Sequence, residues 1–256
     1  MMKTIKLDEE VLAEFSALQV DRNTVRIERQ LDRGLYQKVN KALEALGGKW
    51  NRGARAHVFE GDAADRIESA ILHGEVVDAK KTFEFFETPP ALVDQMIDYA
   101  EIEDGHRVLE PSAGRGAILD GICRAHLAGA LIHVVELDPV NREVLSERQD
   151  CQLVGDDFLK FEAPAGLLYD RVVMNPPFSK QQDIAHVTRA FGMLKRGGLL
   201  VAIMSVGVEF RQDRKATEFR ELVREVDGEI ERLPEGSFKS SGTGVNTCLV
   251  RMRMSI

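Results

Sequence analysis

The stretch Val173-Met174-Asn175-Pro176-Pro177-Phe178 decides how this chain is read. An apolar strand candidate runs into an asparagine, and two prolines follow at once. Proline has no backbone N–H to donate to a neighbouring strand, so the chain must leave the sheet here in a stiff, preset shape. The turn then offers three complementary groups: the Asn175 amide oxygen, the Pro176 carbonyl and the flat ring of Phe178. Two acceptors beside an aromatic face suit an exocyclic amino group on a planar ring, whose two N–H bonds are accepted while the ring stacks.

Working outward, the strands before it end in polar residues of their own. Val108-Leu109-Glu110-Pro111-Ser112-Ala113-Gly114-Arg115-Gly116 is a strand, a Gly-x-Gly turn and the start of a helix. Such a turn lets a ligand approach the backbone and aims free N–H groups at it, although a tight strand-to-helix turn alone reads the same way. Position 119 is Leu119, so the third glycine of the dinucleotide fingerprint is missing and a nicotinamide dehydrogenase is disfavoured. The next strand ends at Glu136, placed to accept from both hydroxyls of a ribose. The one after ends in Gly155-Asp156-Asp157-Phe158, where a carboxylate suits an adenine amino group and the phenyl ring a purine face. Three successive strand ends thus supply parts suited to an adenosine.

The pattern from residue 82 onward carries these turns. Strand candidates at 106–110, 131–137, 152–156, 170–175, 199–205, 229–233 and 247–254 alternate with helical stretches at about 90–101, 115–128, 139–147, 181–195 and 214–226. Several strands are near-continuous apolar runs, as strands buried on both faces are. The expectation is an α/β fold, a Rossmann-like, doubly wound, seven-stranded and mostly parallel sheet over 82–256, behind a small N-terminal α+β region at 1–81.

Glu110–Gly116, Glu136, Gly155–Phe158 and Asn175–Phe178 together resemble the motif series of class I S-adenosylmethionine-dependent methyltransferases, and Asn-Pro-Pro-Phe resembles that of the branch that methylates amino groups. Phe86-Glu87-Thr88-Pro89-Pro90-Ala91-Leu92-Val93 resembles the N-terminal cofactor motif of gamma-class adenine-N6 DNA methyltransferases, and the motif order is that of the class. The resemblance implies S-adenosyl-L-methionine as cofactor. Thr88, Glu110, Pro111, Ala113, Gly114 and Gly116 would lie at its methionine end and Glu136 at its ribose. Asp157 and Phe158 would hold its adenine, with Asp156 as the competing carboxylate. It implies that Asn175, Pro176, Pro177 and Phe178 form the catalytic turn. In Leu233-Pro234-Glu235-Gly236-Ser237-Phe238, Phe238 would be a second aromatic wall for a base turned out of the stack; its plain reading is a core phenylalanine. The implied substrate is DNA, with RNA possible. Guanine-N2 methylation of ribosomal RNA, glutamine-N5 methylation of a release factor and a non-catalytic cofactor- or DNA-binding protein are the alternatives. No Pro-Cys pair precedes a strand end, which disfavours cytosine-C5 chemistry.

The N-terminal region reads differently. Helices are expected at about 8–17, 34–46 and 62–73 and strands at 24–29 and 56–59, with Gly47-Gly48 ending the middle helix. Between Arg22 and His57 lie nine Lys or Arg against three acids, a local charge of +6 in a chain of net charge −8. The segment 47–59 reads as a basic turn in which Trp50, the only tryptophan, either closes a small core or stacks on nucleic acid. Arg211, Arg214 and Lys215 read as a solvated helix start or as phosphate contacts. With the last strand candidate ending just before Ile256, the expectation is that the basic region reads or grips the nucleic acid, that a partner supplies recognition, or that the enzyme is poorly specific.

Composition sets the outer bounds. A hydrophobic fraction of 44% in 256 residues supports a sizeable core. The longest apolar run, Gly198–Val208, is about half of the roughly twenty residues a membrane span needs, and acids crowd the N-terminus where a signal peptide would be apolar. A cytoplasmic protein without membrane contact is expected. Cys123, Cys151 and Cys248 are expected as buried thiols, and no metal site is expected from the histidine spacing.

Overall fold

The computed structural model describes residues 5–76, 87–125, 128–164, 166–241 and 243–255. The expected junction near 80–82 and Phe86 of the cofactor motif fall outside the described residues. The chain forms two compact units.

The first unit opens with α1 (Glu9–Ser16), β1 (Gln19–Asp21), β2 (Thr24–Arg26), α2 (Arg33–Ala45), β3 (Lys49–Asn51), β4 (Ala56–Val58) and α3 (Ala64–His73). Asp8 caps α1 by accepting from the Val11 N–H, and Asp32 caps α2 by accepting from Gly34 and Leu35, so each helix starts where a short acid can satisfy orphan donors. Gly47, with φ of 97°, ends α2 in the left-handed conformation that glycine adopts cheaply. The four short strands pair antiparallel in the order β1-β2-β4-β3. Val11, Phe15, Val25, Val39, Leu43 and Phe59 pack into the core of the unit.

Two of these strands, β1 and β3, lie where the sequence pattern shows none. Each is three residues long, as β2 and β4 are. The stretch 47–59 is therefore a β-hairpin and not a bare turn. Trp50 does not close a core, since 52% of its surface is exposed.

The second unit holds α4 (Pro90–Ala100), β5 (Arg107–Glu110), α5 (Ala117–Arg124), β6 (Leu131–Val135), α6 (Pro139–Ser146), β7 (Gln152–Gly155), β8 (Tyr169–Met174), α7 (Gln182–Phe191) and β9 (Leu194–Ser205). After α8 (Gly207–Phe210) and α9 (Arg214–Glu225), β10 (Glu229–Arg232) and β11 (Thr247–Arg253) complete its sheet. Strand order is β10-β11-β9-β8-β5-β6-β7, parallel except for β11, which runs antiparallel to both neighbours. This is the expected seven-stranded, mostly parallel sheet. Its central strands are buried throughout, as Val172, Val173 and Met174 of β8 and Leu200 to Met204 of β9 show. Chain order reverses where β8 lies beside β5, and this is the topological switch point.

Three expectations change. Val206–Glu218 belongs to the first unit, although it follows β9 in sequence. Phe210 packs against that unit's core, and Arg211 bonds to Glu68 at 2.8 Å with only 7% of its side chain exposed. Arg211 is thus a buried structural ion pair and not a phosphate contact, while exposed Arg214 bonds to Glu218 one turn on. Of the cysteines, only Cys248 is buried; Cys123 and Cys151 are partly exposed. Among the described residues no helix is long and apolar enough to cross a membrane.

Gly121 lets α5 approach α4. A Cβ there would lie 2.2 Å from Cγ1 of Val93, which is itself buried and has nowhere to retreat. Overpacking of this kind costs about 1–3 kcal/mol, more than the ~1 kcal/mol that alanine gains over glycine in a helix. Gly121→Ala is therefore expected to lower the midpoint of urea denaturation, and an unchanged midpoint would refute the contact.

Candidate active site

Most of the candidate residues read from the sequence lie at the carboxyl ends of β5, β6, β7 and β8; Thr88 precedes α4 and Phe238 follows β10. Beyond β5 the glycine turn is held from two sides. The Ala113 N–H donates to the Val135 carbonyl at 3.1 Å, and the Gly114 N–H donates to Glu136 Oε2 at 2.7 Å. Gly114 and Gly116 have φ of 56° and 92°, which suits residues without a Cβ. At Gly116 a Cβ would also crowd Arg148 Nη1 at 3.2 Å. Pro111, Ala113, Gly114 and Gly116 are all buried. Leu119, at the place of the absent third glycine, is fully buried and packs α5 onto the sheet.

Two carboxylates of this site differ in kind. Glu136 uses Oε2 on Gly114 and Oε1 on the Asp138 N–H at 2.8 Å, so it locks the turn and the start of α6 together. Asp138 in turn caps α6. Glu110 is 1% exposed, and its Oε2 has no hydrogen-bond partner among the described residues. Burial pushes its carboxyl well above the usual glutamate value; Arg148 opposes this, and the Glu136 and Asp120 carboxylates add to it.

At the end of β7, Asp156 is exposed and accepts from the Asp157 N–H at 2.7 Å. Asp157 is half-buried, accepts from the Leu159 N–H at 3.1 Å and pairs with Lys160 at 2.8 Å, an ion pair that holds its carboxyl below the usual range. Both acids lie at the strand end. Phe158 is a correction. Its ring is 3% exposed and packed among Phe161, His186 and Arg189, so it supports the turn from beneath and presents no face to a ligand.

At the end of β8, Asn175 Nδ2 donates to Thr88 Oγ1 at 3.0 Å. Thr88, buried just ahead of α4, and Asn175 are 87 residues apart in sequence, and the sheet brings them together. The bond fixes the amide so that Oδ1 is its remaining acceptor end. Pro176 is buried, Pro177 exposed and Phe178 half-buried against the core. Lys180 and Gln181 follow with φ of 54° and 56°. Two successive non-glycine residues in this region store about 1–2 kcal/mol each, and such strain persists where surrounding structure enforces it.

Phe238 is a second correction. It is 1% exposed inside the main apolar cluster and is a core residue, as its plain reading had it. The residues that sequence reasoning missed line a cleft of about 880 Å³ that also includes Thr88. They are Arg115, Asn141, Ser240 and Ser241. Ser241 Oγ donates to the Glu87 carbonyl at 2.6 Å, across 154 positions. No local pattern marks these residues; only the fold brings them to one cleft.

The geometry matches known proteins. A putative class I S-adenosylmethionine-dependent methyltransferase from Listeria monocytogenes superimposes with a TM-score of 0.54 at 13% identity, over 97% of this chain and 80% of that one. The chain has the class I methyltransferase fold. Two sequence relatives are shorter matches. The Type II methyltransferase M.TthHB8I of Thermus thermophilus is 38% identical over 92 residues, 36% of this chain and 20% of that protein. The Ribosomal RNA small subunit methyltransferase A of a Synechococcus strain is 33% identical over 97 residues, 34% of this chain and 33% of that protein. The match thus spans a third or less of either curated relative. No protein-family model matches the chain.

Glu110 gives a testable sign. A carboxyl whose pKa is raised on folding holds its proton in the folded chain and gives it up in the unfolded one. Stability from this source is complete below the usual value of 4.5 and is lost as pH rises toward the raised value. Glu110→Gln has no proton to lose. It is expected to gain stability relative to the unsubstituted protein as pH rises from about 4.5 to about 8, read from urea midpoints at both ends. A constant difference across the range would refute the assignment.

Proposed function

We propose that this chain is an S-adenosylmethionine-dependent N-methyltransferase that methylates adenine N6 in DNA, by direct in-line transfer to a base turned out of the helix. The observation that carries the reading is the Asn175–Thr88 bond, which joins the Asn-Pro-Pro-Phe turn to the cofactor motif beside the switch point. The Type II methyltransferase from Thermus thermophilus supports it as a relative.

The residues present fit the cofactor. A buried acceptor without a partner among the described residues, Glu110 Oε2, lies at the end of β5, and a glycine turn without side-chain bulk stands beside it. Glu110, Thr88 and the Gly114 turn would hold the methionine end, Glu136 the ribose, and Asp156 or Asp157 the adenine. When bound, the cofactor supplies an electrophilic sulfonium methyl.

The chain's own part is positioning. An aromatic amine is a weak nucleophile because its lone pair is delocalised into the ring. Accepting its two N–H bonds at Asn175 Oδ1 and the Pro176 carbonyl favours a pyramidal nitrogen with an available lone pair, while Phe178 stacks on the ring. Those acceptors also stabilise the positive charge that develops on nitrogen during transfer. Asn175 is no base at neutral pH, so the proton leaves to water after transfer. A base in duplex DNA must first leave the stack, at a cost of a few kcal/mol.

Labelled methyl transfer to duplex DNA, single-stranded DNA, ribosomal RNA and a release factor, followed by digestion and mass spectrometry, tests the reading. N6-methyladenine in DNA is expected; label confined to RNA or protein would replace the substrate. Asn175→Ala is expected to keep less than about a tenth of the turnover, a loss of more than ~1.4 kcal/mol of transition-state stabilisation. Thr88→Val, which removes the bond that orients Asn175, is expected to lower kcat in the same direction.

A further inference from the structure

The first unit carries a surface that methyl transfer does not use. Of the nine basic residues between Arg22 and His57, three are engaged. Arg29 bonds to Glu14, Lys38 pairs with Asp8 at 2.6 Å, and Lys49 lies 3.8 Å from Glu60. Arg22, Arg33, Lys41, Arg52 and Arg55 are exposed. They form no ion pair with any described residue.

Two aromatic side chains stand in the same segment. Trp50 and Tyr36 are 52% and 40% exposed, and no other aromatic among the described residues is a large exposed apolar side chain. Trp50 lies on the edge strand β3, directly across from His57 of β4, with the two rings edge-on at 5.2 Å. His57 is fully buried, and its Nε2 pairs with Asn40 Oδ1 of α2 at 2.9 Å. Tyr36 sits one turn before Asn40 on that helix, and the His57–Asn40 bond is partly buried. Arg52 and Arg55 lie in the hairpin loop just beyond Trp50. Asn51 Oδ1 shapes that loop by accepting from Ala54 at 2.9 Å, and Arg55 adopts φ of 51°.

A half-exposed tryptophan held by a buried neighbour, with the uncommitted Arg52 and Arg55 in the loop that follows it, is a poor protein surface in water but a good platform for a base and its phosphates. A paired duplex hides the faces of its bases, whereas an unpaired strand offers them. We infer that this face of the first unit binds an unpaired DNA strand, with Trp50 stacked on a base and Arg52 and Arg55 on its phosphates. The choice of DNA over RNA rests on the function proposed above; the stacking and charge chemistry does not.

Trp50 is the only tryptophan, so intrinsic fluorescence reports from this one position. The full chain, without cofactor, is titrated with oligothymidylate, with a DNA duplex of equal length and with oligouridylate. Saturable quenching by the single DNA strand is expected, with weaker binding of the duplex. Trp50→Ala, followed by anisotropy of a labelled strand, should weaken binding about tenfold, while Trp50→Phe retains most of it. Arg52→Ala with Arg55→Ala should flatten the log–log salt slope by about 1.4, the share of two phosphate contacts on a single strand. Equal or tighter binding of the duplex, or binding seen by anisotropy without quenching, would overturn the site. Tighter binding of oligouridylate would overturn the choice of DNA. The titration requires no turnover, so failure of the methyl-transfer assay and failure of this site are separate results.

Discussion

Parallel strands cannot be joined by tight turns, and the rest of this molecule depends on that constraint. Each connection among β5, β6, β7, β8 and β9 must cross back over the sheet, so all five strands finish at the same edge. Helices on the crossovers cover both faces, and burial at roughly 25 cal/mol per Å² of apolar surface holds the stack together. Residues with no local relation are thereby delivered to one line: Glu110, Glu136, Asp156 with Asp157, and Asn175. β8 returns to the far side of β5, so the glycine turn and the Asn-Pro-Pro-Phe turn follow neighbouring strands at the topological switch point.

The polar groups along that edge are not equivalent. Glu136 is satisfied by two backbone N–H groups and acts as a fastener, holding the glycine turn to the end of β6. Glu110, one strand over, is buried with an oxygen that has no partner among the described residues, and burial shifts it toward the neutral form. An unpaired buried acceptor costs about 1–3 kcal/mol. The left-handed Lys180 and Gln181 beyond Phe178 are a second local cost at the same edge. The site is therefore less well satisfied than the sheet that supports it.

Legibility followed the reach of the interactions. All seven strands of the large sheet and the five long helices beside them stood out as apolar runs and helical periods, with ends within a few residues. The main shift was β9, which begins at Leu194 and takes over the last turn of the expected helix 181–195. The strands β1 and β3 did not stand out, although β2 and β4, of the same three-residue length, did. Side-chain burial was harder still. Phe158 and Phe238 stand in turns that resemble ligand walls, yet both face inward to the core. Arg211 resembles a free cation beside a strand end until its partner Glu68, 143 positions earlier, is seen.

By itself the sequence determined the α/β class, the strand ends and the residue types standing on them, since apolar period and proline chemistry act over a few neighbouring residues. Tertiary structure alone decided which of those residues meet. It joined Thr88 to Asn175, assigned Val206–Glu218 to the first unit and left Trp50 half in water beside buried His57. Those outcomes turn on strand order and on contacts between distant positions, which no local pattern along the chain encodes.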